Sequence, residues 1–129
     1  MLKAGLLNPQ INALLARVRH TNTLVVADRA FPLWPEVETI DISLVDDVPT
    51  VLDVVRALRT YWDAGKAVMA EEFLTVNDAA THAAFAAALE GLAVSYAPHV
   101  EFKRRVPAAI GLIRTGDMTR FGNVILESE

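Results

Sequence analysis

Thr23-Leu24-Val25-Val26-Ala27-Asp28 is the stretch from which the fold is read. It is apolar and β-branched without polar alternation, which predicts a strand buried on both faces. It stops at a carboxylate, and Pro32 and Pro35 follow, so a loop begins at Asp28. Strands of this kind belong to parallel sheets covered by helices on both sides, where ligands gather beyond the carboxyl ends of the strands.

Working outward, the neighbouring segments fit that sheet. Upstream, Asn8-Pro9 is a helix start, with Asn as the cap and Pro in the first turn. Ile11, Leu14, Leu15 and Val18 follow at helical spacing, and the pattern stops at His20-Thr21-Asn22. Downstream, Thr39 to Leu44 alternates as a short strand. Pro49 then opens a helix with a stripe of Val51, Val54, Val55, Leu58, Tyr61 and Trp62, and Gly65 is a plausible C-cap. Lys66 to Glu71 reads as a further buried strand ending in the carboxylate pair Glu71-Glu72. An alanine-rich helix is expected over 77–90, stopped by Gly91. Leu92 to Tyr96 is a strand, and Pro98 starts a short helix carrying His99, Phe102 and Lys103. Two final strands, 109–114 and 123–126, flank Thr115-Gly116-Asp117. Strands alternating with helices predict a three-layer α/β/α fold with a largely parallel central sheet. No repeat or linker divides residues 1–129, which read as one domain.

Composition limits the function. A net charge of −4 disfavours a general nucleic-acid binder. The chain has no cysteine, which excludes disulfides and thiolate zinc sites and fits a cytosolic protein. Neither a signal-peptide pattern nor a membrane-length apolar run is expected. The common phosphate-binding glycine motifs are absent, and His20, His82 and His99 lack metal-ligand spacing.

A set of segments in fixed order adds to this reading. Gly5-Leu6-Leu7-Asn8, His20-Thr21-Asn22, Val26-Ala27-Asp28, Ile40-Asp41 and Val48-Pro49 come first. Ala70-Glu71-Glu72, His99 to Lys103, Ile113 to Asp117 and Asn123-Val124-Ile125-Leu126 follow. Together they resemble the D-ribose pyranase and L-fucose mutarotase family over nearly the whole chain. The resemblance implies a monosaccharide ring isomerase acting on a free aldose, D-ribose first. A fucose-type mutarotase acting on another sugar and a non-catalytic sugar-binding, ring-forming protein are the alternatives. It implies His20 as the catalytic acid/base, with Asp28, His99, Lys103, Phe121, Gly122 and Asn123 at the sugar. It further implies no metal or organic cofactor, no nucleic-acid or membrane partner and a cytoplasmic location. The implied assembly is a decamer of two pentameric rings with sites between subunits, where 121–123 complete a neighbour's pocket. The chain departs from the family at Asp28-Arg29-Ala30-Phe31-Pro32, which is bulkier and more charged, and at Phe121, where a tyrosine is usual.

The implied chemistry asks little of a protein. Opening an aldose ring takes a proton from the anomeric hydroxyl and gives one to the ring oxygen, and reclosure reverses both. An imidazole does this near neutral pH, a carboxylate orients it, and amides or amines hold the remaining hydroxyls. On pattern alone, His20 also suits a helix-end dipole partner, Asp28 a loop cap, and His99 and Lys103 a solvated helix face. His82 reads as solvated. Glu71-Glu72 reads as structural before catalytic, Phe121 as packing, and Arg114 as a candidate ion pair.

Overall fold

The computed structural model describes residues 1–129. Its elements in chain order are α1 (Pro9–Arg17), β1 (Thr23–Ala27), β2 (Thr39–Asp41), α2 (Val51–Tyr61), β3 (Ala64–Ala70) and α3 (Glu72–Val76). Then come α4 (Ala79–Ala88), β4 (Ala93–Ala97), α5 (His99–Arg105), a 3-10 turn (Val106–Ala108), β5 (Gly111–Arg114) and β6 (Val124–Ser128).

The helices start where side chains satisfy free amide groups. Asn8 accepts from the Ile11 amide at 3.0 Å. Thr50 and Asp53 form a reciprocal capping box at the start of α2, with bonds of 2.9 and 3.1 Å. Asp78 accepts from the Thr81 amide at 2.8 Å. After α4 the chain turns at Gly91, whose φ of +84° glycine adopts without a Cβ penalty.

The six strands lie in the order β2-β5-β1-β6-β3-β4. β1 and β2 each pair parallel with β5, and β3 pairs parallel with β4. β6, the last strand, is antiparallel to both β1 and β3 and joins the two parallel groups. The sheet is thus largely parallel, as the sequence predicts, with one reversed strand inside it.

Successive strand residues point to opposite faces, and the two cores follow that alternation. Leu24 and Val26 of β1, Ile113 of β5, and Val124 and Leu126 of β6 join the larger core with Leu14, Val55, Leu58 and Phe85. Val25 and Ala27, Leu112 and Ile125 face the smaller core, closed by Phe31, Phe102 and Val106. Both faces of β1 are therefore dry. The outer strand β4 is exposed from Ala93 to Tyr96. Beside it, Val68, Val94 and Ile125 line an uncovered sheet face with a cavity of about 390 Å³. No helix is long and apolar enough to cross a membrane.

Several local expectations are corrected. Gly65 is no C-cap. α2 ends at Tyr61, Trp62 is already extended, and Gly65 lies in β3 where the register with β6 shifts. Tyr61 is exposed, while Trp62 turns inward and donates Nε1 to Ser128 Oγ at 3.2 Å. The strand expected over 39–44 ends at Asp41, because the Asp41 carboxylate accepts from the Ser43 amide at 3.0 Å and bends the chain. The expected alanine-rich helix is shorter, and a separate short helix, α3, precedes it. His82 is not solvated. It lies three residues before Phe85 on one helix face, packs 5.4 Å from Phe73, and buries Nε2 without a partner.

Candidate active site

Because β6 runs against its neighbours, its first end meets the carboxyl ends of β1, β3, β4 and β5 along one edge of the sheet. Asp28 leaves β1 there, and Asn123 precedes β6 directly beside it. Asn123 Oδ1 accepts from the Asp28 amide at 2.7 Å, and Asn123 Nδ2 donates to Asp28 Oδ2 at 3.2 Å. The Ala30 amide donates to Asp28 Oδ1 at 2.9 Å. Asp28 therefore presents a fixed carboxyl. Asn123 keeps one N–H and one lone pair free for a ligand.

A cavity of about 250 Å³ opens over this pair, walled by Phe31, His99, Arg120 and Phe121. His99 is the first residue of α5. Its ring lies over Phe102 at 6.0 Å and meets the edges of Phe121 at 5.0 Å and Phe31 at 6.3 Å. Its Nδ1 is buried without a partner. The larger cavity on the uncovered sheet face lacks a comparable acid/base pair, since its Lys66 and Glu127 bond each other at 3.1 Å.

The two titratable groups are shifted toward neutrality. Burial pushes the Asp28 carboxyl above its ordinary value, against the Ala30, Asn123 and Phe31 hydrogen bonds, and Asp117 adds to the rise. Burial lowers the His99 imidazole below its ordinary value. The Lys103 charge pushes the same way, and Glu72 and Asp28 oppose it. A carboxyl inclined to keep its proton and an imidazole inclined to lose one thus border the same cavity, which is the pairing that acid/base work requires.

The walls are set by loops that the sequence marks only weakly. Phe121 sits at φ 55°, a left-handed conformation rare for a bulky residue. Its turn is pinned by the Gly122 amide donating to Thr119 O at 3.2 Å and by Asn77 Nδ2 donating to Arg120 O at 2.9 Å. Gly122 is buried, and a Cβ there would meet Thr119 Cβ and O at 3.1 Å. Its part is to let the backbone turn closely. Asp117 is 3% exposed and accepts from the amides of Val51 at 2.8 Å and Thr119 at 2.7 Å, tying α2 to this turn. Asp117, Arg120 and Glu72 were not singled out as site residues by the sequence. Only the strand-end positions of the first and last hinted at them.

Known proteins match the chain in sequence and in fold. The sequence profile of the RbsD / FucU transport protein family matches residues 1–129. The chain belongs to that family. Among the curated RbsD / FucU relatives, it is 38% identical over 128 residues to a D-ribose pyranase of Geobacillus kaustophilus, covering 99% of this chain and 93% of that one. It is 36% identical to the D-ribose pyranase of Laribacter hongkongensis over 99% and 97% of the two chains. The structure of Bacillus subtilis RbsD complexed with D-ribose superposes with a TM-score of 0.91 at 30% identity, over 99% of this chain and 97% of that one. The fucose mutarotase of Streptococcus pneumoniae, solved with L-fucose, shares the fold at a TM-score of 0.79 and 16% identity, over 94% and 91%.

Not every residue that the family resemblance nominated falls in this cavity. Asp28, His99, Phe121 and Asn123 line it, and Gly122 supports its wall. Lys103 is one turn along α5 from His99 and acts on it through its charge. Asn123 bonds Asp28 of its own chain, so these two residues reach the cavity together. His20 lies apart. It sits before β1, in a different cavity with Gly65, Ala93 and Ser128. The five residues of β1 hold it from Asp28 by about 16 Å of extended chain. Arg114 forms the expected structural contacts, donating to Phe31 O at 2.9 Å and lying 3.7 Å from Asp41.

Proposed function

We propose that this chain is a D-ribose pyranase, an isomerase that interconverts the ring forms of free ribose by acid/base catalysis. The observation that carries the reading is the pairing of Asp28, held by Asn123, with His99 in one sugar-sized cavity. In the opening step the anomeric hydroxyl gives up its proton. The bond from the anomeric carbon to the ring oxygen breaks, and that oxygen takes a proton. Reclosure through another hydroxyl runs the transfers backward, so no net proton is consumed. Phe121 and Phe31 offer apolar faces to the sugar's C–H groups, and the free N–H of Asn123 binds a hydroxyl. The relatives called D-ribose pyranases and the ribose-bound neighbour at 30% identity support ribose over fucose.

His20 enters this scheme as the proton-transfer residue supplied by a second copy of the chain. Its exposure and its separation from Asp28 support that arrangement, as does its position beside the uncovered face of β3 and β4. The same proposal includes a ring-shaped homo-oligomer, a decamer of two pentamers, working in the cytoplasm.

The test is NMR saturation transfer between the pyranose and furanose signals of ribose. The protein accelerates exchange, and His20→Ala and His99→Gln each abolish it. Mixed oligomers reassembled from equal amounts of the two variants recover about a quarter of the sites, because each intact site needs one sound half from each partner. Unaccelerated exchange by the wild type overturns the enzymatic reading. Absence of recovery in mixed oligomers overturns the shared site.

A further inference from the structure

α5 carries His99 into the cavity, but it begins without a capping side chain of its own. The residue before it is Pro98, and no side-chain cap bond comes from that position. The amide of His99 instead donates to both carboxylate oxygens of Glu72, at 3.0 and 3.1 Å. Glu72 is the first residue of α3, directly beyond β3, and lies 27 positions earlier in the chain. The parallel pairing of β3 with β4 brings their ends side by side, where Glu71 N also donates to Ala97 O at 2.8 Å.

We propose that Glu72 is a positioning residue for His99, clamping the amide at the head of α5 so that the imidazole stays over the cavity, and that its negative charge tunes the ring. The inference rests on the ring-isomerase reading for its functional meaning, and on geometry alone for the clamp. Four charged groups bear on the imidazole or its cavity: Glu72 from α3, Lys103 from α5, Asp28 beyond β1 and Arg120 from the turn before β6. The rings of Phe31, Phe102 and Phe121 enclose the rest. Glu72 and Asp28 favour the charged imidazole, whereas burial and Lys103 oppose it. A bond to the backbone amide also ties the Cα of His99 to the chain leaving β3 at the sheet edge.

Two substitutions separate clamp from charge. Glu72→Gln keeps an acceptor for the His99 amide and removes the charge. Glu72→Ala removes both. The His99 ring signal, assigned by its loss in His99→Gln, is titrated by NMR in the full-length oligomer, and ribose exchange is measured across pH. In Glu72→Gln the His99 midpoint moves to lower pH, and the acid limb of the exchange profile moves with it. In Glu72→Ala exchange falls by ~10–100-fold, the scale expected when a reacting group loses its placement, and Glu72→Gln restores most of that loss at neutral pH. A His99 midpoint unchanged in Glu72→Gln overturns the tuning. Full exchange in Glu72→Ala overturns the clamp. If Glu72→Ala does not fold, Glu72→Asp, one methylene shorter, replaces it and must lose rate relative to Glu72→Gln. If wild-type protein leaves ribose exchange unaccelerated, the pyranase reading fails, while the His99 titration still decides whether Glu72 acts on this ring.

Discussion

Asn123→Ala is the substitution whose consequences the structure determines most fully. Asn123 is 2% exposed and Asp28 is 8% exposed. Removing the amide leaves the Asp28 N–H, now bonded at 2.7 Å, buried without an acceptor. An orphaned buried donor costs about 1–3 kcal/mol. The second bond, from Nδ2 to Oδ2 at 3.2 Å, faces an open cavity where water can replace the donor, so its loss adds only about 0.5–1 kcal/mol. The expected destabilisation is therefore about 1.5–4 kcal/mol. Urea unfolding followed by the fluorescence of the two tryptophans reads it, at matched protein concentration. The effect also depends on pH. Burial raises the Asp28 carboxyl in the native state, so the native state holds its proton longer, and stability falls as pH rises through the window between the unfolded and folded values. The Asn123 bond counters that rise. Without it the window extends to higher pH, and the gap between wild type and variant widens from acid to neutral. A loss below about 0.5 kcal/mol, the range of an ordinary surface change, or a gap independent of pH, would refute the reasoning.

Four further outcomes are expected. Because His99 is lowered from its ordinary value of 6.5, the native state binds fewer protons than the unfolded chain. Stability should fall as pH drops from that value through the folded one, and His99→Gln should flatten this slope in a pH series of urea midpoints. Gly116→Ala places a Cβ 2.3 Å from Val45 O and 3.0 Å from Val48 O, both backbone atoms, and should cost about 1–3 kcal/mol or more. Gly65→Ala meets nothing nearer than Glu129 Cβ at 3.5 Å and should stay within about 0.5 kcal/mol in the same assay. Phe102→Ala removes a fully buried ring under both Phe31 and His99, and should cost about 3–5 kcal/mol in unfolding while weakening ribose binding by calorimetry.

The local signals were legible because they act over a few residues. Asn8, which the sequence marks as a helix start, caps through the amide three positions on. The unbroken apolar run of β1 announced burial on both faces, since Leu24 and Val26 serve one core and Val25 and Ala27 the other. Asp28 could be marked because a buried strand ending in a carboxylate delivers that group to the sheet edge.

Side-chain alternation tells which face a residue takes, but says nothing about which strand lies beside it or which way that strand runs. The insertion of β6 in reverse between β1 and β3 therefore had to come from the tertiary structure. That reversal places Asn123 against Asp28 across 95 positions. The neighbouring of β3 and β4 likewise sets Glu72 at the head of α5. His20, eight residues before Asp28 in the chain, goes to the opposite edge, because an intervening strand separates whatever flanks it. Proximity in sequence around a strand means distance in space. The residues that meet are those whose strands end on the same side of the sheet.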